Sequence, residues 1–206
     1  MTITAIELLI RLRGHFAAGL PHEAPEVHAE IKKVLDFLPP LETTPEPDIP
    51  ASVGEPKLLP AIRIFLNEHP EVLGGGWKAL AESIPWRYSY APRDDDPGLD
   101  TRMGWYEFIG PAAPMRSDRV GFGLMYLGPD THYRPHAHPA AELYGAVSGL
   151  LPWKSGEHSG VMAPGEFLYN PPRVVHSMRS GDEPVLLVYS WTGDIVSGGY
   201  YLDVAG

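Results

Sequence analysis

The run HYRPHAHPAAELYGAVSGLLPW, residues 132–153, decides how the rest of the chain is read. Its first thirteen positions hold three histidines, a glutamate and two tyrosines, in a chain of 206 residues with no cysteine. Without thiolates, the strong ligands left are imidazole, carboxylate and phenolate, so any metal here is held by nitrogen and oxygen. Strand side chains alternate between two faces, and His136, His138, Glu142 and Tyr144 share parity. A regular strand would aim all four at one interior. Pro139 places a bulge or loop at the start of that strand, so the shared direction is firmest for Glu142 and Tyr144. Two imidazoles and a carboxylate make an incomplete divalent-metal site, and a fourth protein ligand is expected from elsewhere.

Outward from this run the chain has two textures. From Trp86 onward, RYSYAP, GWYEFIG, VGFGLMYLGP, ELYGAVSG, GEFLYNPP and PVLLVYSW are short β-prone runs bounded by turn residues, at the spacing of a sandwich or barrel. The histidines near position 136 are expected to sit between such strands. Before Trp86 the apolar residues recur at helical spacing, as Ile3, Ile6, Leu9, Ile10 and Phe16, and again as Val27, Ile31, Val34, Leu35 and Leu38. A third helix is predicted over residues 59–68 and a helical turn over 77–83, after the glycines at 74–76. Residues 39–60 hold seven prolines and read as an extended connector over the surface. The charged turn RDDDPGLD, residues 93–100, reads as solvated loop. The expected organisation is a helical segment, residues 1–85, packing on a β-barrel, residues 86–206.

Composition limits the function classes. The 23 prolines and 22 glycines favour many turns and short elements, hence a mainly β protein. A formal charge of −10, with 16 basic residues that form no dense run, argues against nucleic acid and anionic membrane surfaces as partners. No window of about eighteen apolar residues is present to span a bilayer, and the N-terminus has neither a basic n-region nor a small-residue cleavage site, which predicts a mature cytoplasmic N-terminus. The expected partner is a small-molecule substrate, with a homodimer as the assembly entertained.

The missing ligand is found in GEFLYNPPRVVHSM, residues 165–178. There Gly165, Pro171 and His176 follow one another at the spacing of the second motif of the cupin superfamily. The pattern His136-x-His138-x3-Glu142-x6-Gly149 resembles the first motif at every position. Arg173 stands where cupins usually have glycine and Ser180 where they often have asparagine, and neither position is a ligand. The resemblance implies a double-stranded β-helix, or jelly-roll barrel, with an N-terminal helical segment, and a divalent transition metal (Fe, Zn, Mn, Ni or Co) held by His136, His138, Glu142 and His176. His132, His158, His15, His22, His28 and His69 fit no ligand spacing and are expected at the surface.

The resemblance narrows through the extended motif HxHxxxExY, with Tyr133 just upstream and Trp191 in VYSW. These features are similar to the dimethylsulfoniopropionate lyases of the DddQ and DddL type. By that resemblance Tyr144 is the base and in some relatives also a ligand, His136 can lie in the site without binding the metal, and Tyr133 and Trp191 belong to the substrate pocket. The chemistry has its own logic. A phenol near a divalent cation loses its proton well below its usual pKa of about 10 and becomes a base useful at neutral pH. β-Elimination removes a proton next to the carboxylate and expels a neutral sulfide, so the leaving group needs no acid. A sulfonium offers no hydrogen-bond donor and is best held by aromatic faces such as Trp191, Trp153, Tyr133 or Tyr189. Two other functions compete: an iron-dependent cupin dioxygenase acting on a small organic acid, and a non-catalytic cupin that binds a small molecule. Tyr144 favours the lyase, because oxygen activation has no need of a base two residues after the ligand glutamate.

Overall fold

Thr4 opens the folded chain as an N-cap: its hydroxyl accepts from the Glu7 backbone N–H at 3.2 Å, and the Glu7 carboxylate accepts from the Thr4 N–H at 2.9 Å. The computed structural model describes residues 2–51, 55–88, 90 and 96–202. Helix α1 (Ala5–Ala18) turns Leu8, Leu9, Leu12 and Phe16 inward at helical spacing. Helix α2 (Pro25–Phe37), with Pro25 in its first turn, does the same with Val27, Ile31 and Val34. Helices α3 (Leu59–Glu68) and α4 (Lys78–Ser83) follow, joined by a turn in which Leu73 and Gly74 to Gly76 all have positive φ. Arg11 on α1 donates to the Leu73 and Gly75 carbonyls of that turn at 2.7 and 2.6 Å. The proline-rich connector is tied down as well, since the Glu46 carboxylate accepts from the Ala5 N–H at 2.6 Å.

Among the described residues eleven strands follow: β1 (Met103–Gly110), β2 (Met115–Arg116), β3 (Val120–Leu127), β4 (His132–Ala137), β5 (Ala140–Ser148), β6 (Leu151–Ser155), β7 (His158–Met162), β8 (Phe167–Asn170), β9 (His176–Arg179), β10 (Val185–Gly193) and β11 (Tyr200–Tyr201). They form two sheets, ordered β2-β1-β3-β10-β5-β8 and β11-β4-β9-β6-β7. Apart from the parallel β1–β2 contact, neighbours run antiparallel, in the jelly-roll arrangement of the cupin fold.

The larger sheet is covered on both faces. Along β3 the even positions Phe122, Leu124 and Tyr126 face outward into a core shared with Phe16, Ile31, Phe65 and Trp77 of the helical region. The odd positions Met125 and Leu127 face the barrel interior with Tyr144, Leu187 and Tyr189. Every residue of β3 is buried as a result, which is why it reads as a continuous apolar run rather than an alternating one. Each fully buried leucine or phenylalanine on this outer face contributes about 1.5–3 kcal/mol. The contact also has a polar pin, in which buried Glu30 on α2 accepts from Thr192 of β10 and Lys33 donates to the same hydroxyl.

Several local expectations change. His132 and His136 lie within strand β4 rather than between strands, and only His138 falls in the gap before β5. His15 is not a surface residue. It is half-buried against the Phe167 ring, centroids 5.6 Å apart. Of the RYSYAP run, Arg87 bridges to Trp105, while residues 89, 91 and 92 lie outside the described residues. Of the charged turn, residues 93–95 lie outside them too; Leu99–Thr101 is a short 3-10 turn, and Asp96 and Asp100 pair with Arg102 and Lys57.

Candidate active site

Strands β4, β5 and β9 bring His136, His138, Glu142 and His176 together, with one ligand-type atom of each within 4.8 Å of the others and all four buried. His136 and His176 are direct partners across the β4–β9 pair, their rings 4.1 Å apart. Each imidazole is anchored through Nδ1: His136 to the Arg134 carbonyl at 2.7 Å, His138 to the Ala140 carbonyl at 3.0 Å, and His176 to the Val174 carbonyl at 2.9 Å. A carbonyl only accepts, so Nδ1 carries the proton and Nε2 presents a lone pair to the interior. Among the described residues, the Nε2 atom of His136 is buried with no hydrogen-bond partner. Those of His138 and His176 approach Glu142 Oε2 to 3.2 and 3.1 Å. Lone pairs and a carboxylate converging in a buried cluster repel unless a cation lies among them, so the donor set fits a divalent metal.

The surrounding electrostatics differ between the histidines. Burial, reinforced by the neighbouring His176, pushes His136 down to about 3, which keeps it neutral and able to ligate. Burial opposes charge on His138 as well, but the adjacent Glu142 carboxylate outweighs it and raises that histidine. Glu142, though buried, is held well below the usual carboxylate range by His138 and His176. Its other contacts come from Trp191, whose Nε1 donates to Oε1 at 2.7 Å, and from Asn170, whose amide donates to Oε2 at 3.2 Å.

Beside the cage lies a cavity of about 360 Å³, lined among others by Tyr133, Tyr144, Tyr189, Trp191, Trp105 and Glu107. Tyr144, fully buried and hydrogen-bonded to Glu142, has its hydroxyl raised well above 10 by burial and then by that carboxylate. Tyr133 stacks on His136, and its hydroxyl lies 2.5 Å from that of Tyr90, which is itself pushed up to about 12 by burial. Trp191 sits with its ring 4.4 Å from the His138 ring, so it reaches the cavity and the Glu142 carboxylate together. Trp153 is placed elsewhere. It stands on β6 opposite Gly160 and Met178, and does not line the cavity.

Two departures from the cupin motifs have a visible fit. Arg173, at the usual glycine position, takes φ 63° and donates its N–H to the His138 carbonyl at 2.8 Å. Ser180 is buried, donating to the Gly128 carbonyl at 2.5 Å and accepting from the Thr131 N–H at 2.9 Å, which closes the turn that leads into β4. Sequence reasoning missed Asn170, Tyr90, Trp105 and Glu107. The signal for the last two was the alternation of Trp105 and Glu107 in GWYEFIG; Asn170 stood in plain sight inside the second motif.

Fold and cage together define a cupin-type jelly roll with a buried three-histidine, one-glutamate site. The profile of the dimethylsulfoniopropionate lyase family matches residues 66–187, more than half of the chain, and the chain belongs to that family. It is 32% identical over 118 residues to a putative dimethylsulfoniopropionate lyase DddL of Cereibacter sphaeroides, covering 55% of this chain and 48% of that protein, so it spans about half the length of this relative. To the dimethylsulfoniopropionate lyase DddQ of Ruegeria pomeroyi it is 23% identical over 171 residues, 82% of this chain and 85% of that one. The crystal structure of that DddQ superimposes with a TM-score of 0.69 at 21% identity, covering 98% of this chain and 100% of the other, which establishes a shared fold.

Proposed function

We propose that this protein is a metal-dependent carbon–sulfur lyase that cleaves dimethylsulfoniopropionate, or a closely related β-substituted carboxylate, to dimethyl sulfide and acrylate. The observation that carries the reading is the set of three imidazoles, each held through Nδ1 by a backbone carbonyl, that gather with Glu142 in a buried cluster whose ligand-type atoms lie within 4.8 Å of one another. Family membership supports the substrate class. A divalent metal would be held by His138, Glu142 and His176, with His136 as the further ligand, and would supply positive charge that stabilises the carboxylate-centred anion of the elimination and lowers the pKa of a nearby phenol.

The remaining steps fall to the chain's own residues. Tyr144, two positions after Glu142 on the same strand face, takes the proton from the carbon next to the carboxylate. The electrons of that C–H bond form the new double bond, and the C–S pair leaves on sulfur as neutral dimethyl sulfide. Tyr144 acts only as its phenolate, so activity is expected to rise with pH as the hydroxyl ionises. Tyr133, Tyr189 and Trp191 present aromatic faces to the sulfonium and exclude water from the anion. The test is headspace detection of dimethyl sulfide from purified, metal-loaded protein given dimethylsulfoniopropionate, with wild type and Tyr144→Phe side by side. Release by the wild type and its collapse in the variant are expected. No release by the wild type would remove the substrate assignment, and undiminished release by a metal-replete variant would remove Tyr144 as the base.

A further inference from the structure

Among the described residues two carboxylates line the cavity, and the elimination uses only Glu142; the other is Glu107 on β1. The strand register shows where it stands. Glu107 lies opposite Gly123, Gly123 opposite Tyr189, and Tyr189 opposite Tyr144, one row across four strands. The adjoining row runs Gly121, Trp191, Glu142, Asn170. Glu107 is thus three strand spacings, about 14 Å between backbones, from the strand that carries the metal-ligand carboxylate. Their side chains face one another across the cavity from opposite ends of one wall.

The wall is cut to admit this side chain. A Cβ on Gly121 would come within 2.7 Å of Glu107 Oε2, and one on Gly110 would overlap Oε1. The β1–β3 register slips between Glu107 and Ile109, a bulge that sends both Phe108 and Ile109 into the outer core while Glu107 stays inside. Around it stand the Trp105 and Tyr189 rings, edge to face with centroids 6.4 Å apart. Burial raises the Glu107 carboxyl to about 7, and the Arg87 charge and a hydrogen bond to Tyr189 offset only part of that. A half-buried carboxylate lining a cavity among aromatic rings, incompletely compensated, is the environment that a cation lacking hydrogen-bond donors would complete.

We propose that Glu107 is the counter-charge for the cationic end of the substrate, so that the pocket selects zwitterions carrying a fixed positive charge two methylenes from a carboxylate. This rests on the lyase reading for the placement of the carboxylate end at the metal cage. Glu107 here is a specificity residue: it touches the onium group and takes no part in the proton transfer.

The test uses two unreactive ligands of nearly equal shape, 3-(trimethylammonio)propionate and 4,4-dimethylpentanoate, its carbon isostere without the positive charge, bound to the metal-loaded full chain by calorimetry. Wild type is expected to prefer the zwitterion about tenfold to a hundredfold, and Glu107→Gln to lose most of that preference while its affinity for the anionic isostere does not fall. The amide oxygen keeps an acceptor for Tyr189, which separates charge from structure. With dimethylsulfoniopropionate the variant should show a raised KM at nearly constant kcat. Full preference in the variant, or equal weakening of both ligands, would overturn the proposal. Dimethyl sulfide release by a wild type whose preference survives Glu107→Gln sinks this inference alone. A wild type that prefers the cation through Glu107 yet releases no dimethyl sulfide sinks the reaction assignment alone, and one that binds neither ligand sinks both.

Discussion

Tyr133 stacks on His136 with ring centroids 3.8 Å apart and planes 20° from parallel, although the two lie three residues apart on one strand. Regular alternation would send them to opposite faces. The β4–β9 register slips between Tyr133 and His136, at the segment containing Pro135, and that one-residue bulge returns both rings to the interior. The stack therefore fixes the ring plane of a candidate ligand. Tyr133→Ala should free the His136 ring and weaken metal binding about tenfold to a hundredfold, whereas Tyr133→Phe, which keeps the stack, should stay near wild type; competition with a chromophoric chelator reads both.

Replacing His138, Glu142 or His176 by Ala should abolish stoichiometric metal in elemental analysis, because each removes a ligand from a cage of four. Retention of metal in His176→Ala would detach β9 from the site. Chelation of the wild type should also lower Tm, since a ligand at a hundred times its Kd stabilises the folded state by about 2.7 kcal/mol.

Tyr144→Phe keeps the buried ring and removes its one oxygen. Turnover should fall about a hundredfold to ten-thousandfold with metal content retained, while a purely structural hydroxyl would cost about 1 kcal/mol of stability and leave the rate alone. Steady-state kinetics and elemental analysis on the same sample separate the two.

The outer face of the larger sheet depends on the helices that cover it. Phe16, fully buried, meets Phe122 edge-on at 5.2 Å, and Phe16→Ala should cost about 3–5 kcal/mol in denaturant unfolding. A truncated chain beginning at Trp86 would expose Phe122, Leu124, Tyr126 and Val188, and should be poorly soluble. Wild-type turnover from that chain would show that the helical segment is dispensable.

Glu107 supplies a pH signature in the absence of substrate. Its folded-state carboxyl is raised from 4.5 to about 7, so folding is favoured most where the group is protonated. That contribution is fully present below about 4.5 and is lost as pH rises through about 7. Glu107→Gln should therefore gain stability relative to wild type between pH 5 and pH 8, on the order of 1–3 kcal/mol. Urea unfolding at the two pH values measures the difference, and an unchanged one would place the Glu107 pKa in the ordinary range.

The sequence by itself determined the mainly β fold, the helical beginning and the set of ligand-type residues. Those signals are local: α3 runs from Leu59 to Glu68 as expected from helix start and stop signals, and the spacing of His136, His138, Glu142 and His176 is written in two short motifs. Strands β4, β6, β7 and β9 were harder to see, because their exposed, proline-bearing or short stretches carry little apolar signal of their own. Tertiary structure decided what depends on register. It put Tyr133 on the His136 ring through a bulge, set Trp153 away from the cavity, and made room for Glu107 with glycines from outside its own strand segment as well as at its end. A bulge shifts side-chain parity by one residue, and a cavity is shaped by strands distant in sequence, so neither can be read from the spacing within a single run.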